Sequence, residues 1–474
     1  MNAAPAAGKD RGGGHRLDPT ILREYDIRGV HGRTLSTADA HAVGRSFATI
    51  VLRGGGRRIA VGRDGRLSSP ALEAALVEGL VESGAYAVRI GLSATPMLYY
   101  AEAAADDIDA AVQVTGSHNP SDHNGFKLVL GGRPFFGVDI ARLGALAAAG
   151  DWEAGTGHVE HRDVSEDYIA RLLGGLDGAD PQALAALRVG WDAGSGAAGP
   201  VLERLTAKLP GEHHLLFTEV DGTFPHHHPD PTIESNLADL KALVAREGLD
   251  FGVAFDGDGD RIGAVDASGQ VVWGDQLLAI FAEDLLRGHP GATVIADVKA
   301  SSALFEAVER LGGRALMWKS GHSQVKARMK ETGALLGGEM SGHLFFADRW
   351  FGFDDGLYAA VRLMAATVRL GRSLAELRAA MPAMVNTPEL RFPVDERRKF
   401  AAVEEVRARL AAAGARVIGI DGVRVATADG WWLLRASNTQ DALTARAESD
   451  SSAGLARLIA QIDEQLALCG LSRT

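Results

Sequence analysis

The chain has 474 residues, of which 46% are hydrophobic and 23% charged, and its formal net charge is −12. An acidic balance disfavours general nucleic-acid binding, which needs a basic face, and no window approaches the ~18 uninterrupted apolar residues of a membrane span. The single cysteine, Cys469, excludes an internal disulfide and suits a reducing compartment, so we expect a cytoplasmic protein. The length predicts about three domains.

Strands and helices alternate through the first third of the chain. Residues 1–15 are rich in alanine and glycine, and we expect them to form a disordered tail. Beyond them, strands are predicted at 57–61, 87–91 and 110–114, with a helix at 67–83. This alternation predicts a parallel sheet covered by helices, with ligands bound where the strands end.

The most specific stretch follows the strand 110–114. Thr-Gly-Ser-His-Asn-Pro at 115–120 is followed seven residues later by a segment ending in Lys127. We expect Gly116 to permit a tight turn and Ser117 to be exposed on it. A hydroxyl, the imidazole of His118 and the ammonium of Lys127 could then form a phosphoserine site; the alternative is that Ser117 caps a following helix.

The next unit contains two patterns that imitate other sites. Gly194–Gly199 spell a Gly-x-Gly-x-x-Gly sequence after a predicted strand, which alone suggests a nicotinamide-dependent oxidoreductase. Small residues that let a helix pack closely on a strand give the same pattern. The run His226 to His228 suggests a metal site, but adjacent histidines point in different directions and nearby prolines stiffen the segment, so we favour a structural loop.

The strongest metal signal follows a buried strand predicted at 251–255. Asp256, Asp258 and Asp260 alternate with two glycines, which lets the backbone curl and bring three carboxylates onto one cation. Ligands that are all oxygen favour Mg²⁺. An EF-hand fits poorly, because its sixth position would be Arg261 and its twelfth Ala267.

The rest of the chain supplies further polar loops. Strands are predicted at 292–296, 315–318 and 334–336, and Gly-Glu-Met-Ser-Gly-His at 338–343 ends the last of them. We interpret the loops of the three units as related strand–loop–helix modules. Glu339 and Ser341 suit sugar hydroxyls. Near the end, hairpin-like strands precede Arg-Ala-Ser-Asn-Thr at 435–439, whose donors match a phosphate group, although a polar turn would look alike.

In their order and spacing, these loops resemble those of the α-D-phosphohexomutase superfamily, most of all the bacterial phosphomannomutase/phosphoglucomutase family. The resemblance implies three similar mixed α/β-sheet domains and a smaller α+β C-terminal domain around one central cleft. The domains would span 16–160, 161–268, 269–378 and 379–474. It implies an isomerase that moves a phosphoryl group between C1 and C6 of mannose or glucose phosphates, through a phosphoserine and a 1,6-bisphosphate.

The resemblance also assigns residues to roles. It implies that Mg²⁺ binds Ser117, Asp256, Asp258 and Asp260, with Arg261 beside them, and that glucose 1,6-bisphosphate is activator and intermediate. Met340 favours this family over the phosphoglucosamine mutases, which remain an alternative. Hexose phosphates are the expected partners, while the preference between mannose and glucose and the oligomeric state stay open. The catalytic residues would be Ser117, His118, Arg28, Lys127 and His343, and the substrate-binding residues Tyr25, Lys299, His322, Glu339, Ser341, Arg435, Ser437, Asn438 and Thr439.

Overall fold

A computed structural model describes residues 13–437 and 442–472 of the chain. The chain divides into an N-terminal unit, Met1–Val164, and a C-terminal unit, Ser165–Thr474. Among the described residues, no helix combines the length and the apolar character needed to cross a membrane.

The N-terminal unit is built on one mixed six-stranded sheet. Its elements are β1 (Ile27–Val30), α1 (Thr37–Arg53), β2 (Arg58–Arg63), α2 (Ser69–Glu82), β3 (Tyr86–Leu92), α3 (Thr95–Ala103), β4 (Ala110–Val114), β5 (His123–Leu130), α4 (Val138–Ala149) and β6 (His158–His161). The strand order is β1-β5-β4-β2-β3-β6, in which β5 is antiparallel to both neighbours and the rest pair in parallel. The missing side chain of Gly44 lets helices α1 and α2 approach closely. A methyl group added there would lie 2.2 Å from the carbonyl oxygen of Leu76.

The C-terminal unit begins with two smaller mixed sheets and their helices. The first sheet has the order β11-β10-β9-β7-β8 and the second β13-β12-β14-β15. Their elements are α5 (Ser165–Leu173), α6 (Pro181–Ala185), β7 (Arg188–Asp192), α7 (Gly199–Thr206), β8 (Glu212–Leu216), α8 (Ala238–Glu247), β9 (Phe251–Phe255), β10 (Ile262–Asp266), β11 (Val271–Val272), α9 (Gly274–Gly288), β12 (Thr293–Asp297), α10 (Ser302–Arg310), β13 (Arg314–Trp318), α11 (His322–Thr332), β14 (Leu336–Gly338), β15 (Leu344–Phe346), α12 (Gly356–Leu370) and α13 (Leu374–Ala379).

An antiparallel sheet completes the C-terminal unit. Its strands run in the order β16-β21-β20-β19-β18, and β17 also pairs with β21. The predicted hairpin strands are confirmed, and two helices cover the sheet over a core that includes Trp432, Val406 and Ile462. The elements are β16 (Val385–Asn386), β17 (Leu390–Pro393), α14 (Glu396–Ala412), β18 (Arg416–Ile418), β19 (Val423–Thr427), β20 (Gly430–Ala436), β21 (Ala442–Ser449) and α15 (Ser452–Leu468).

The first three sheets share one connection that the sequence interpretation described wrongly. In each, one of the parallel strands (β4, β9 or β14) ends in a polar loop, and the loop leads into an antiparallel strand (β5, β10 or β15) rather than a helix. Ser117 therefore caps no helix. Pairing both ends of each loop within one sheet fixes the loop more firmly than a strand–helix connection would.

Candidate active site

Ser117 occupies a strained turn between β4 and β5. Its φ of +50° lies in the left-handed region that side chains disfavour. It is 1% exposed; its N–H donates to Oγ1 of Thr115 at 2.8 Å, and its Oγ lies 3.2 Å from Nδ1 of His118. The expectation that Ser117 is exposed is wrong, because the turn folds inward onto the side chain of Arg66.

The glycine before this serine has a different purpose from the one predicted. Ser117, and not Gly116, has the positive φ. A methyl group at Gly116 would lie 2.4 Å from Nε of Arg66 and 2.7 Å from the carbonyl oxygen of His123. Gly116 therefore permits close packing on a guanidinium rather than an unusual backbone angle.

Two more predicted residues flank this turn. Arg28, on β1, donates through Nη1 to Oδ1 of Asn119 at 3.1 Å and through Nη2 to Asp26. Tyr25 is half-buried just before that strand, and Lys127 is buried on β5, opposite Gln113 of β4. The N-terminal unit thus brings the hydroxyl of Ser117, the imidazole of His118 and the guanidinium of Arg28 to one loop, while the predicted ammonium of Lys127 lies on the following strand.

Sequence reasoning missed Asp64 and Arg66, which lie after β2. The side chain of Arg66 is fully buried and donates to the carbonyl oxygens of Ser117 at 2.6 Å, Asn119 at 2.7 Å and His123 at 3.0 Å. Its Nε also donates to Asp64 at 3.2 Å, and the same carboxylate accepts from the N–H of Gly116 at 3.1 Å. Charged residues at a strand's carboxyl end were the available signal.

The acidic loop of the C-terminal unit converges as predicted. Asp256, Asp258 and Asp260 are each 0% exposed, and ligand oxygens from all three lie within 4.8 Å of one another. Gly259, at a φ of +77°, closes the loop by donating to the carbonyl oxygen of Asp256 at 3.1 Å. Three buried carboxylates at this range repel, and a hard divalent cation is the charge that fits an all-oxygen donor set.

The Gly-x-Gly-x-x-Gly segment supports this acidic loop. Ala197 donates its N–H to the carbonyl oxygen of Gly257 at 3.0 Å, and a methyl group at Gly196 would lie 2.9 Å from the same oxygen. A methyl group at Gly199 would lie 1.9 Å from the carbonyl oxygen of Thr218. The glycines thus serve close backbone packing. His227 pairs with Asp192 at 3.0 Å, which agrees with a structural role for its loop.

A buried charge network adjoins the acidic loop. Arg261 lies 3.7 Å from Asp256 and donates through Nε to Nε2 of His343 at 3.0 Å. Nδ1 of His343 lies 2.9 Å from Asp354, which also accepts from Lys326 at 2.8 Å. Burial acts to raise the pKa of Asp354, but the neighbouring Lys326 and the two histidines outweigh it and hold that pKa well below its usual value.

His322 and His343 stack with ring centroids 5.4 Å apart, so two predicted residues meet here. Asp260, His343 and Asp354 also lie close enough to hold a metal ion. Because Lys326 already balances Asp354, the triple-aspartate loop is the better metal site.

The predicted sugar-binding loop follows β14. The Glu339 carboxylate accepts from the N–H of Gly321 at 2.6 Å and lies 3.3 Å from Oγ of Ser320. Ser341 is half-buried at the turn of the loop. Lys299 lies 3.5 Å from Glu389, a carboxylate on the segment that leads into the last sheet.

The last predicted loop meets the sugar loop through one carboxylate. Arg435 is 6% exposed and lies 2.9 Å from Asp421 through Nη2. The same carboxylate accepts from the N–H of Ser320 at 3.1 Å. The carbonyl oxygen of Ser437 accepts from Lys399 at 2.8 Å. Asn438 and Thr439, also predicted to bind phosphate, lie outside the described residues.

A cavity of about 280 Å³ lies among α9, α10, α13 and β21 of the C-terminal unit. Its walls include Ile280, Leu304 and Met384, and it contains none of the predicted site residues. The chemistry of the side chains, rather than this cavity, therefore locates the candidate site.

Comparison with known proteins places this architecture in one class. Family models of phosphoglucomutase/phosphomannomutase match the chain in order: alpha/beta/alpha domain I at residues 19–150, domain II at 166–269, domain III at 273–384 and the C-terminal domain at 389–465. The chain belongs to the phosphoglucomutase/phosphomannomutase family. The predicted resemblance and fold class are confirmed.

Individual relatives agree over nearly the whole length. The chain is 45% identical to a phosphomannomutase/phosphoglucomutase of Pseudomonas putida over 442 residues, which cover 93% of this chain and 94% of the relative. It is 42% identical to the Pseudomonas aeruginosa enzyme of that name, covering 95% and 96%. A crystal structure of a family protein from Burkholderia thailandensis superposes with a TM-score of 0.88 at 42% identity, covering 96% and 98%.

Proposed function

We propose that this chain is a hexose-phosphate mutase, an isomerase that exchanges a phosphoryl group between C1 and C6 through a phosphoserine at Ser117. Mutase activity follows from family membership and from the names of its relatives. The observation that carries the serine mechanism is the buried, strained Ser117 turn, with His118 and Arg28 at the same loop. Strained backbone persists where the surroundings over-determine it, commonly at catalytic sites.

In the proposed reaction, the phosphoryl group leaves Oγ of Ser117 for a hydroxyl of a hexose monophosphate. The bond from phosphorus to the serine oxygen breaks, a bond to the sugar oxygen forms, and the sugar hydroxyl loses its proton. The product is a 1,6-bisphosphate, with glucose 1,6-bisphosphate as one example. After the sugar turns around, the other phosphoryl group returns to Ser117. Such transfers depend mostly on positioning and charge neutralisation.

Two residues are candidates for moving the sugar proton. Nε2 of His343 accepts from Arg261, so this ring would have to exchange that partner before it could take a proton. Lys127 is buried on β5, the strand that follows the Ser117 loop. We assign general acid/base roles to the pair, without dividing them, and assign Arg28 to the charge on the moving phosphoryl group.

The residues that would hold the metal are Asp256, Asp258 and Asp260. Their buried carboxylates fit Mg²⁺, which when bound would neutralise charge on the phosphoryl group. Arg261 offsets part of the negative charge of the cluster through its contact with Asp256.

The remaining residues would hold and release the sugar. Glu339 and Ser341 would bind hydroxyls, Lys299 and His322 would lie beside them, and Arg435 would grip the phosphate that is not transferred. Arg435 must leave Asp421 to do so, because that carboxylate lies 2.9 Å from its guanidinium. Ser437, Asn438 and Thr439 would add donors from the same loop, and Tyr25 and His118 would border the phosphoserine.

The decisive experiment compares Ser117→Ala with Ser121→Ala, an exposed serine four residues on. With Mg²⁺ and a trace of glucose 1,6-bisphosphate, Ser117→Ala should lose nearly all conversion of mannose 1-phosphate, and Ser121→Ala should keep it. Radiolabelled bisphosphate should label the control but not Ser117→Ala. Wild-type turnover by Ser117→Ala would refute the mechanism, and faster turnover of glucosamine 1-phosphate would favour a phosphoglucosamine mutase.

A further inference from the structure

The buried guanidinium of Arg66 lies under the Ser117 turn and touches it at several points. One side chain donates to four carbonyl oxygens of that turn: Ser117 at 2.6 Å, Asn119 at 2.7 Å, Pro120 at 2.5 Å and His123 at 3.0 Å. It is itself 1% exposed, so these bonds are shielded from water. Charge-assisted hydrogen bonds of this kind are about twice as strong as neutral ones.

Asp64 completes the contact from the same loop. Its carboxylate accepts from Nε of Arg66 at 3.2 Å, from the N–H of Arg66 at 3.0 Å and from the N–H of Gly116 at 3.1 Å. The pair therefore binds both the amide before Ser117 and the carbonyl of Ser117. Those two groups bracket the residue whose φ is +50°.

Gly116 gives independent evidence that the contact is specific. Any side chain there would meet Nε of Arg66 at 2.4 Å and its Cζ at 2.5 Å. The turn has space for the guanidinium only where Cβ is missing.

We infer that Arg66 and Asp64 are positioning residues that hold Ser117 in its left-handed conformation and so fix the direction of its hydroxyl. The inference rests on the proposed role of Ser117 as phosphoryl carrier. Arg66 touches neither substrate nor the transferred group; it acts on the backbone that carries them. Lysine cannot replace it, because a single ammonium cannot reach four carbonyl oxygens with the geometry of the planar guanidinium.

The test pairs Arg66→Lys with Arg63→Lys. Arg63, three residues earlier on β2, is half-buried and pairs with Glu73 at 3.2 Å. Arg63→Lys therefore also removes a guanidinium, but one whose ion pair lies outside the Ser117 turn. For Arg66→Lys we expect kcat to fall about 100-fold, the usual cost of misplacing a reacting group by about 1 Å, with KM within about twofold of wild type. Arg63→Lys should keep both constants.

Hydrogen exchange followed by mass spectrometry provides a readout that needs no activity. The peptide covering 115–123 should exchange faster in Arg66→Lys, whereas peptides from α1 and β21 should not change. If Arg66→Lys folds poorly, Gly116→Ala serves as a second variant. Its added methyl group presses on the guanidinium while both charges stay in place, and it should give the same exchange pattern.

Unchanged exchange over 115–123 would overturn the inference, as would wild-type kcat in a variant whose turn has lost protection. If wild-type protein itself fails to turn over hexose phosphates, the proposed function fails, and exchange alone then decides whether Arg66 holds the turn.

Discussion

Replacing Asp258 with asparagine should stabilise the metal-free protein, even though it removes a metal ligand. The three buried carboxylates present oxygens at most 4.8 Å apart. At that distance and an effective dielectric constant of about 20, two unit charges repel by ~3.5 kcal/mol. Asp258 takes part in two of the three pairs, so neutralising it removes ~7 kcal/mol of repulsion at this separation. The contacts of Arg261 with Asp256 and of His343 with Asp260 remain.

Part of this repulsion is already offset in the wild type by the guanidinium of Arg261, 3.7 Å from Asp256. We therefore expect the free energy of unfolding in EDTA to rise by roughly 1–3 kcal/mol in Asp258→Asn. With saturating Mg²⁺ the order should reverse, because wild type gains the binding energy of the ion and the variant gains little. Turnover should fall to background.

Urea unfolding followed by tryptophan fluorescence measures this effect, since six of the seven tryptophans belong to the C-terminal unit. Asp266→Asn is the matched control: this buried aspartate follows the acidic loop but bonds to Ser268 and Arg378, so its loss should destabilise the protein with or without metal. The reasoning would be refuted if metal-free Asp258→Asn were less stable than metal-free wild type. It would also be refuted if Mg²⁺ stabilised the variant as much as it stabilises wild type.

Two further predictions concern other charges of the C-terminal unit. Asp421→Asn keeps an acceptor for Ser320 but weakens the hold on Arg435, so KM for hexose phosphates should fall about threefold; steady-state kinetics that show a higher KM would contradict this. Burial raises the pKa of Asp355 from 3.8 to about 8. The folded state then keeps a proton that the unfolded state loses, so the stabilisation contributed by Asp355 should be complete below pH 3.8 and decline as the pH rises to about 8. Thermal melts of both proteins across this range should show the stability of wild type falling relative to that of Asp355→Asn.

The sequence was sufficient to predict most strands and the loops that end them. Buried apolar runs such as β4 and β9 match their predicted bounds, because an apolar segment bounded by glycine and charge has few other conformations. It did not predict the antiparallel strand after each loop. β5 begins with His123, Asn124 and Gly125, which favour turns, and only pairing with β1 makes them a strand.

Arg66 was missed for a related reason. A charged residue after a strand usually lies in solvent, and nothing local marks this one as buried. Its partners are the carbonyl oxygens of residues more than fifty positions away. A contact of that kind depends on the register between β2 and β4, which the sequence alone does not reveal.

The shared topology explains the Gly-x-Gly-x-x-Gly segment as well. In each of the three mixed sheets, a residue at or after the end of the first central parallel strand (β2, β7 or β12) bonds to the second residue of the functional loop. Asp64 accepts from the N–H of Gly116, Asp297 accepts from the N–H of Met340 at 3.3 Å, and Ala197 donates to the carbonyl oxygen of Gly257. Two sheets use a carboxylate for this support, and the middle one uses a close backbone approach, which requires glycine. The Gly-x-Gly-x-x-Gly segment, which resembles a dinucleotide site, therefore has the same position in the second sheet as the Asp64 loop has in the first. Each of these loops supports the functional loop of its own sheet.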